Sequence, residues 1–220
     1  MPNSRVHSSD EFWKILQQEA KQVAEKEPML TSYIHACLIN HHTFESSLSF
    51  ILSNKLSDDV MPALVLREIF EAAYSLNPVM VDSAIIDIQA AVSRDPAVTS
   101  FLTVLIHFKG FQALQIHRLA NYLWHNGRND LSLFIQSRNS MASGVDIHPA
   151  ATIGKGVMLD HATGIVIGET TVIEDNVSIL QNVTLGGTGN EKGDRHPKIR
   201  QGVMIGSGAK ILGNIEIGEG

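Results

Sequence analysis

The chain has 220 residues, 44% of them hydrophobic, and sets 17 Lys and Arg against 23 Asp and Glu for a formal net charge of -6. That length and apolar content suffice for one or two globular domains, and an acidic balance without a basic run or stripe argues against a nucleic-acid partner. No stretch approaches the length of a membrane span, the N-terminus "MPNSRVHSSDEFWKIL" lacks the apolar run of a secretory signal, and the single cysteine, Cys37, cannot form an intrachain disulfide, so a soluble cytoplasmic protein is expected.

Residues 1–140 read as a helical domain. Ser8 and Glu11 have capping-box spacing, and Phe12, Leu16, Ala20 and Val23 then fall on one face of a helix that should stop near Pro28. Helical runs follow over 29–41, 43–56, 61–76, 79–94 and 110–127, punctuated by Pro62, Pro78, Pro96 and Gly127. Cys37 lies on a predicted buried face and reads as a small core residue. The histidines at 35, 41, 42, 107, 117 and 125 belong to helical runs, where packing or solvation accounts for them. The junction falls in "SRNSMASGVDIHP", and the helices are expected to cap one end of the C-terminal domain.

Over 141–220 the period changes. An aliphatic residue returns every six positions: Ile147, Ile153 and Leu159, then Ile167, Ile173, Ile179 and Leu185, then Ile199, Ile205, Ile211 and Ile217. A period of six is neither helical nor a plain alternation; it is the signature of a parallel β-helix, whose stacked coils bury these residues in one column. The chain stops at Gly220, inside a hexapeptide and without a polar cap, so it is expected to continue in nature.

The repeat breaks twice. Two extra residues lie between Leu159 and Ile167, beside Asp160 and His161, and eight more lie between Leu185 and Ile199, in the polar stretch "GGTGNEKGDRHPK". The second break should project as a loop carrying Arg195 and His196, and such loops on rigid scaffolds are where binding residues concentrate. A coil of three hexapeptides takes about eighteen residues, so Asp146 should lie nearly above His161 on the neighbouring coil. There it could accept the imidazole N–H, fix its tautomer and raise its basicity. Turn chemistry before "IHPAAT" is the bland reading of Asp146, and a surface role that of His161. There is no "GxSxG", no "HExxH" and no phosphate-binding loop.

The stretch from "GFQALQIHRLANYLWHNGR" through "VDIHPAATIGKGVMLDHATGIVIGETTVIEDNVSILQNVTLGGTG" to "DRHPKIRQGVMIGSGAKILGNIEIG", with "KEPML" and "SRDPAV" before it, resembles the bacterial serine O-acetyltransferase family over essentially the whole chain. The resemblance implies α + β architecture, a helical bundle followed by a left-handed parallel β-helix, assembled as trimers with active sites between neighbouring solenoids and two trimers joined through their helical domains into a hexamer. It implies acetyl transfer from acetyl-CoA to the L-serine hydroxyl, the first step of cysteine biosynthesis, without a metal. It assigns His161 as general base with Asp146 as its partner, Asp95, Asp160, Arg195 and His196 to L-serine, and Gly187 and Ser207 to the acetyl-CoA groove. Competitive inhibition by L-cysteine at the serine pocket is implied as well, and so is a C-terminal tail that docks into O-acetylserine sulfhydrylase, which these 220 residues lack.

The chemistry is consistent with that assignment. A serine hydroxyl needs a base to attack a thioester, Arg195 can form a bidentate pair with the substrate carboxylate, and Asp95 and Asp160 can take its ammonium. Asp95 followed by Pro96 has equally the form of a helix N-cap with proline at the first helical position. Three rivals remain: a solenoid acetyltransferase acting on a sugar or antibiotic hydroxyl, a zinc enzyme of the γ-carbonic anhydrase type using His148, His161 and His196, and a non-catalytic scaffold.

Overall fold

The computed structural model describes residues 9–189 and 192–220, so Ser8 of the expected capping box lies outside the described residues. The chain forms two compact units, one up to His107 and one from Phe108.

Among the described residues the first unit contains helices and no strand. It contains α1 (Ser9–Lys26), α2 (Thr31–Ile34, continued by a π-helical turn over His35–Ile39), α3 (Phe44–Leu56), α4 (Ala63–Leu76), α5 (Val79–Arg94) and α6 (Phe101–His107). The 3.6-residue spacing puts Phe12, Leu16 and Ala20 of α1 inside, and the Phe12 ring meets Phe44 edge-on with centroids 5.3 Å apart. Thr43 caps α3 by accepting from the Ser46 amide. Cys37 is buried, as expected. The first amides of α6 are capped from a distance in sequence: the Glu19 carboxylate of α1 accepts from Leu102 N at 2.8 Å, and burial raises its pKa.

Asp95 does not start a helix. It closes α5, and its Oδ1 accepts from Ala97 N at 2.9 Å within a turn, because the chain does not resume helical geometry until Phe101. The N-cap reading of Asp95 and Pro96 is thereby corrected to an Asx turn.

The second unit begins with α7 (Lys109–His125) and α8 (Asn129–Ser143). Gly144, in the left-handed region at φ 68°, ends α8 and turns the chain into the first strand. Both helices thus share a unit with the solenoid, although their period alone groups them with the helices before them. Among the described residues eleven strands follow: β1 (Val145–Ile147), β2 (Thr152–Ile153), β3 (Met158–Leu159), β4 (Ile165–Ile167), β5 (Val172–Ile173), β6 (Ser178–Ile179), β7 (Thr184–Gly186), β8 (Lys198–Ile199), β9 (Met204–Ile205), β10 (Lys210–Leu212) and β11 (Glu216–Ile217).

They form three parallel sheets, the faces of a triangular prism: β1-β4-β7-β10, β2-β5-β8-β11 and β3-β6-β9, here called faces A, B and C. Every residue of the hexapeptide period sits in register with its counterpart one coil on: Ile147 with Ile167, Ile167 with Leu185, Leu185 with Ile211, and likewise on the other faces. There are three buried columns, one per face, rather than one. Each fully buried Ile or Leu contributes about 2 kcal/mol through burial. The corners between B and C and between C and A are turned by stacked residues in the left-handed region, Gly156, Asn176 and Gly202 at one, Gly164, Asn182 and Gly208 at the other.

The amides of the first coil donate to the second coil, so its outer carbonyls have no strand to pair with. Helix α7 supplies donors instead. Asn121 Nδ2 reaches Pro149 O (2.8 Å) and Ala151 O (3.1 Å), and Arg118 reaches Ile153 O (3.2 Å) and Gly154 O (2.7 Å). The cap expected over one end of the solenoid is therefore present within this unit.

Candidate active site

Both breaks in the repeat fall at corners. The two extra residues sit at the C/A corner of the first coil, between β3 and β4; the eight extra residues sit at the A/B corner of the third coil, between β7 and β8.

At the C/A corner the next coil needs only Leu180 to Asn182 before Val183, the register equivalent of Ile165. In the first coil the additional pair is absorbed by a tight turn in which His161 (φ 53°) and Ala162 (φ 61°) both lie in the left-handed region. Two consecutive non-glycine residues there cost roughly 1–2 kcal/mol each, strain of a kind that clusters at functional segments. Thr163 N bonds back to His161 O at 2.8 Å, Ala162 is fully buried, and the His161 side chain projects with 75% of its surface exposed. Its carboxylate neighbour is Asp160, with Nε2 to Oδ1 at 4.0 Å. Ser207 is exposed at the same corner two coils further on, between Gly206 and Gly208, where an added Cβ would meet nothing within 4 Å.

Asp146 is not stacked on His161. The insertion lengthens the first coil to twenty residues, so Asp146 pairs in register with Val166. Its Oδ1 accepts from Gln136 Nε2 of α8 at 2.8 Å, and no hydrogen bond or ion pair joins it to His161 within one chain.

The A/B corner is densely bonded. The Thr170 hydroxyl accepts from Arg195 N (3.0 Å) and His196 N (3.1 Å), and the Thr170 amide donates to His196 Nδ1 at 3.2 Å. Since Nδ1 is an acceptor, the neutral imidazole carries its proton on Nε2 and presents it as a donor. Burial holds the His196 pKa below the ordinary value, with the Arg195 charge adding to the effect, so the neutral form dominates at pH 7. The ring packs against Gly168, where an added Cβ would sit 2.0 Å from its Cδ2 and 2.1 Å from its Nε2. Arg195 Nη2 pairs with Glu169 Oε2 at 2.6 Å, and this contact pulls the Glu169 carboxyl below the usual range. Gly187 lies against Arg195, an added Cβ falling 3.4 Å from its Cγ. Two coils before His196, at the same corner, His148 completes the stack, its ring 5.2 Å from Trp124. Burial holds its pKa down, opposed chiefly by Glu169 and Asp146.

The candidate residues therefore divide between two edges of the prism. Asp160, His161 and Ser207 occupy one; Gly187, Arg195 and His196 occupy the other, and Asp146 lies on the face between. Of the three solenoid histidines, His148 and His196 share a corner that His161 does not, and among the described residues no group of three or more His, Cys, Asp and Glu is placed to hold a metal ion. Glu169, Thr170 and Gln136 escaped sequence reasoning. Coil arithmetic would have found the first two, since Glu169 stands at Arg195's corner one coil earlier; nothing in the period points to Gln136.

A hexapeptide-repeat β-helix that offers an exposed imidazole at a strained corner and a bound guanidinium at another has the make-up of a solenoid acyltransferase. A family model described as "Serine acetyltransferase, N-terminal" matches residues 12–116. The serine acetyltransferase of Salmonella typhimurium is 58% identical over 208 residues, covering 94% of this chain and 76% of that protein. Three solved structures superpose closely. A serine acetyltransferase in complex with cysteine has TM-score 0.94 at 56% identity, and one in complex with CoA has 0.93 at 55%, each covering 96% of this chain and 88% of the other. The soybean serine acetyltransferase complexed with serine has 0.94 at 49%, covering 100% and 89%. The chain belongs to the serine acetyltransferase family, and its β-helix is left-handed, as theirs is.

Proposed function

We propose that the protein transfers the acetyl group of acetyl-CoA to the hydroxyl of L-serine, giving O-acetyl-L-serine and CoA, in grooves formed between neighbouring copies of the solenoid. The observation that carries this reading is the division of the candidate residues between two edges. An interface that sets the C/A edge of one copy against the A/B edge of the next is heterologous, and three such contacts close a ring. Each groove then combines His161 and Asp160 from one side with Arg195 and His196 from the other. Two such rings joined through their N-terminal helices would give a hexamer, and Asp95 is the further carboxylate proposed for the serine ammonium.

In this reading Arg195 exchanges Glu169 for the serine carboxylate, a swap of one charge-assisted bond for another. Asp160 takes the ammonium. His161 removes the hydroxyl proton as the oxygen attacks the thioester carbonyl, with Asp146 orienting the ring across or along the interface. The C–S bond breaks as the tetrahedral intermediate collapses, and the departing thiolate recovers the proton from the imidazolium. The His196 Nε2 proton is available to a substrate oxygen. The open strip along Gly206, Ser207 and Gly208 has room for the CoA chain, with Gly187 at the opposite wall. L-Cysteine carries the same carboxylate and ammonium and would compete in the serine pocket. Among the described residues no helix is long and apolar enough to cross a membrane, and a cytoplasmic site of action fits that reading.

Release of CoA thiol from acetyl-CoA, measured with and without L-serine, tests the proposal. The expected result is serine-dependent release that falls in His161→Ala by a factor on the order of 10²–10⁴. Release without serine dependence, or preserved in His161→Ala, overturns it. A sugar or antibiotic hydroxyl as acceptor is the other reading the fold allows, and the same assay separates it, because such acceptors lack the paired charges that Asp160 and Arg195 address.

A further inference from the structure

The His161 corner has a support that lies outside the solenoid. Gly110, the second residue of α7, faces it so closely that a Cβ built there would lie 2.0 Å from the backbone oxygen of Leu159 and 3.0 Å from Ala162 Cβ. Only a glycine permits that approach, because the obstacle is backbone rather than a side chain that could turn aside. Its neighbour Lys109 bonds through Nζ to the hydroxyl of Thr163. The beginning of α7 therefore holds the turn on both sides of His161: Leu159 two residues before it, Ala162 and Thr163 directly after. Further along the same helix, Arg118 holds Ile153 O and Gly154 O at the B/C corner, which carries no candidate site residue.

We infer that Gly110 is a positioning residue for the acetyl transfer, with Lys109 as its accessory: α7 clamps the left-handed turn at His161 and Ala162 so that the imidazole projects in one direction. The inference rests on His161 being the base. A turn with two non-glycine residues in the left-handed region has a lower-energy alternative within reach, and without an external clamp the ring would sample other directions. Misplacement of a catalytic group by about 1 Å can cost on the order of 10²-fold in rate.

The test uses the full chain and three variants, each measured for kcat, for the KM of serine and of acetyl-CoA, for the pH profile of kcat/KM, and for the thermal midpoint. Gly110→Ala is expected to lower kcat by about 10²-fold, with the acetyl-CoA KM within about two-fold of wild type, and to displace the limb of the pH profile that reports the base. Lys109→Met, which adds no bulk to the packing, is expected to lower kcat by roughly five-fold with the same KM pattern. Arg118→Met removes a clamp of the same helix on the same coil and is expected to lower the thermal midpoint while leaving kcat at wild type. If Gly110→Ala does not fold, Lys109→Met alone decides: a wild-type kcat overturns the inference. Equal losses of kcat in Gly110→Ala and Arg118→Met at equal loss of thermal midpoint overturn it too, because general capping would then explain both. If His161→Ala keeps its activity, the base assignment fails and this inference with it. If His161→Ala is inactive while Gly110→Ala turns over at the wild-type rate, the base stands and the positioning role falls.

Discussion

The two irregular corners of the solenoid are built on opposite plans. At the A/B corner, eight extra residues return to the body through Thr170, whose hydroxyl and amide hold both Arg195 and His196, and Glu169 neutralises the guanidinium. At the C/A corner only two residues are added; the His161 side chain is three-quarters exposed, and the turn beneath it is strained and held by packing from α7. A binding corner can be satisfied before the ligand arrives, because the ligand replaces an existing partner. A base must keep the lone pair of one ring nitrogen free, so at most the other nitrogen can be held by a partner such as Asp146, and the backbone beneath the ring has to be anchored as well.

This contrast yields predictions of decreasing size. Removing the base should cost most. His161→Gln keeps polarity and approximate size but has no titratable nitrogen, and kcat should fall by about 10³-fold with both KM values within about three-fold of wild type. A comparable rise in the serine KM would mean that His161 binds as much as it reacts, and the division of labour between corners would be lost.

At the other corner the effect should appear in binding. Arg195→Lys keeps the charge but not the planar fork that now meets Glu169 and Gly193 O. The serine KM should rise by about 10²-fold, the acetyl-CoA KM should hold, and kcat should fall less than KM rises. A variant impaired only in kcat would place Arg195 with the chemistry rather than with recognition.

How far each corner was legible depends on the same physics. The hexapeptide period reports side chains that must point inward, so it located all eleven column residues and both insertions; Ile147, Ile167, Leu185 and Ile211 stack as the spacing requires. It could not report corner geometry, because that depends on which residues an insertion displaces. A uniform eighteen-residue coil would have put Asp146 opposite Gly164, only three residues past His161, but the insertion that exposes His161 also shifts the register to Val166. The support from Gln136, Lys109 and Gly110 was invisible for a different reason: these residues sit on helices whose period describes their own packing and not the coil they meet. Asp95 shows the limit of a local motif, since Asp-Pro served a helix start and a turn equally well until the chain direction after α5 was known.

A third prediction concerns the packing beneath the A/B corner. His117 of α7 is fully enclosed, bonds the backbone of Ala151, and has no partner for Nδ1. Burial, reinforced by Arg118, holds its pKa down to about 3 from an ordinary 6.5. A depressed histidine pKa means that the unfolded chain binds the proton more readily. The contribution is therefore complete above pH 6.5 and is lost progressively as pH falls from there towards 3. At pH 5 the loss is about 2 kcal/mol. His117→Gln, which cannot titrate, should remove that part of the acid slope in denaturant unfolding measured from pH 7.5 to 5. An unchanged slope would show that the ring is already accessible to solvent and that the corner's floor is softer than its packing implies.

The smallest effect should come from Ala162→Gly, and it addresses the strained corner directly. Glycine removes the left-handed strain, about 1 kcal/mol, but gives up a buried methyl worth about 0.8 kcal/mol and adds roughly 0.4–1 kcal/mol of unfolded-state entropy. The terms nearly cancel, so thermal or denaturant stability should change by less than about 1 kcal/mol. Turnover should nevertheless fall by about three-fold, because the turn that aims His161 gains alternative conformations without losing folding free energy. Asn182→Gly provides the comparison, since Asn182 occupies the left-handed position of the same corner one coil on, where no candidate base is attached. If both substitutions leave kcat unchanged, α7 alone aims the imidazole and the strain is incidental. If Ala162→Gly raises kcat, the tight turn holds His161 back from its working geometry, and the contrast between a satisfied corner and a poised one would have to be reversed.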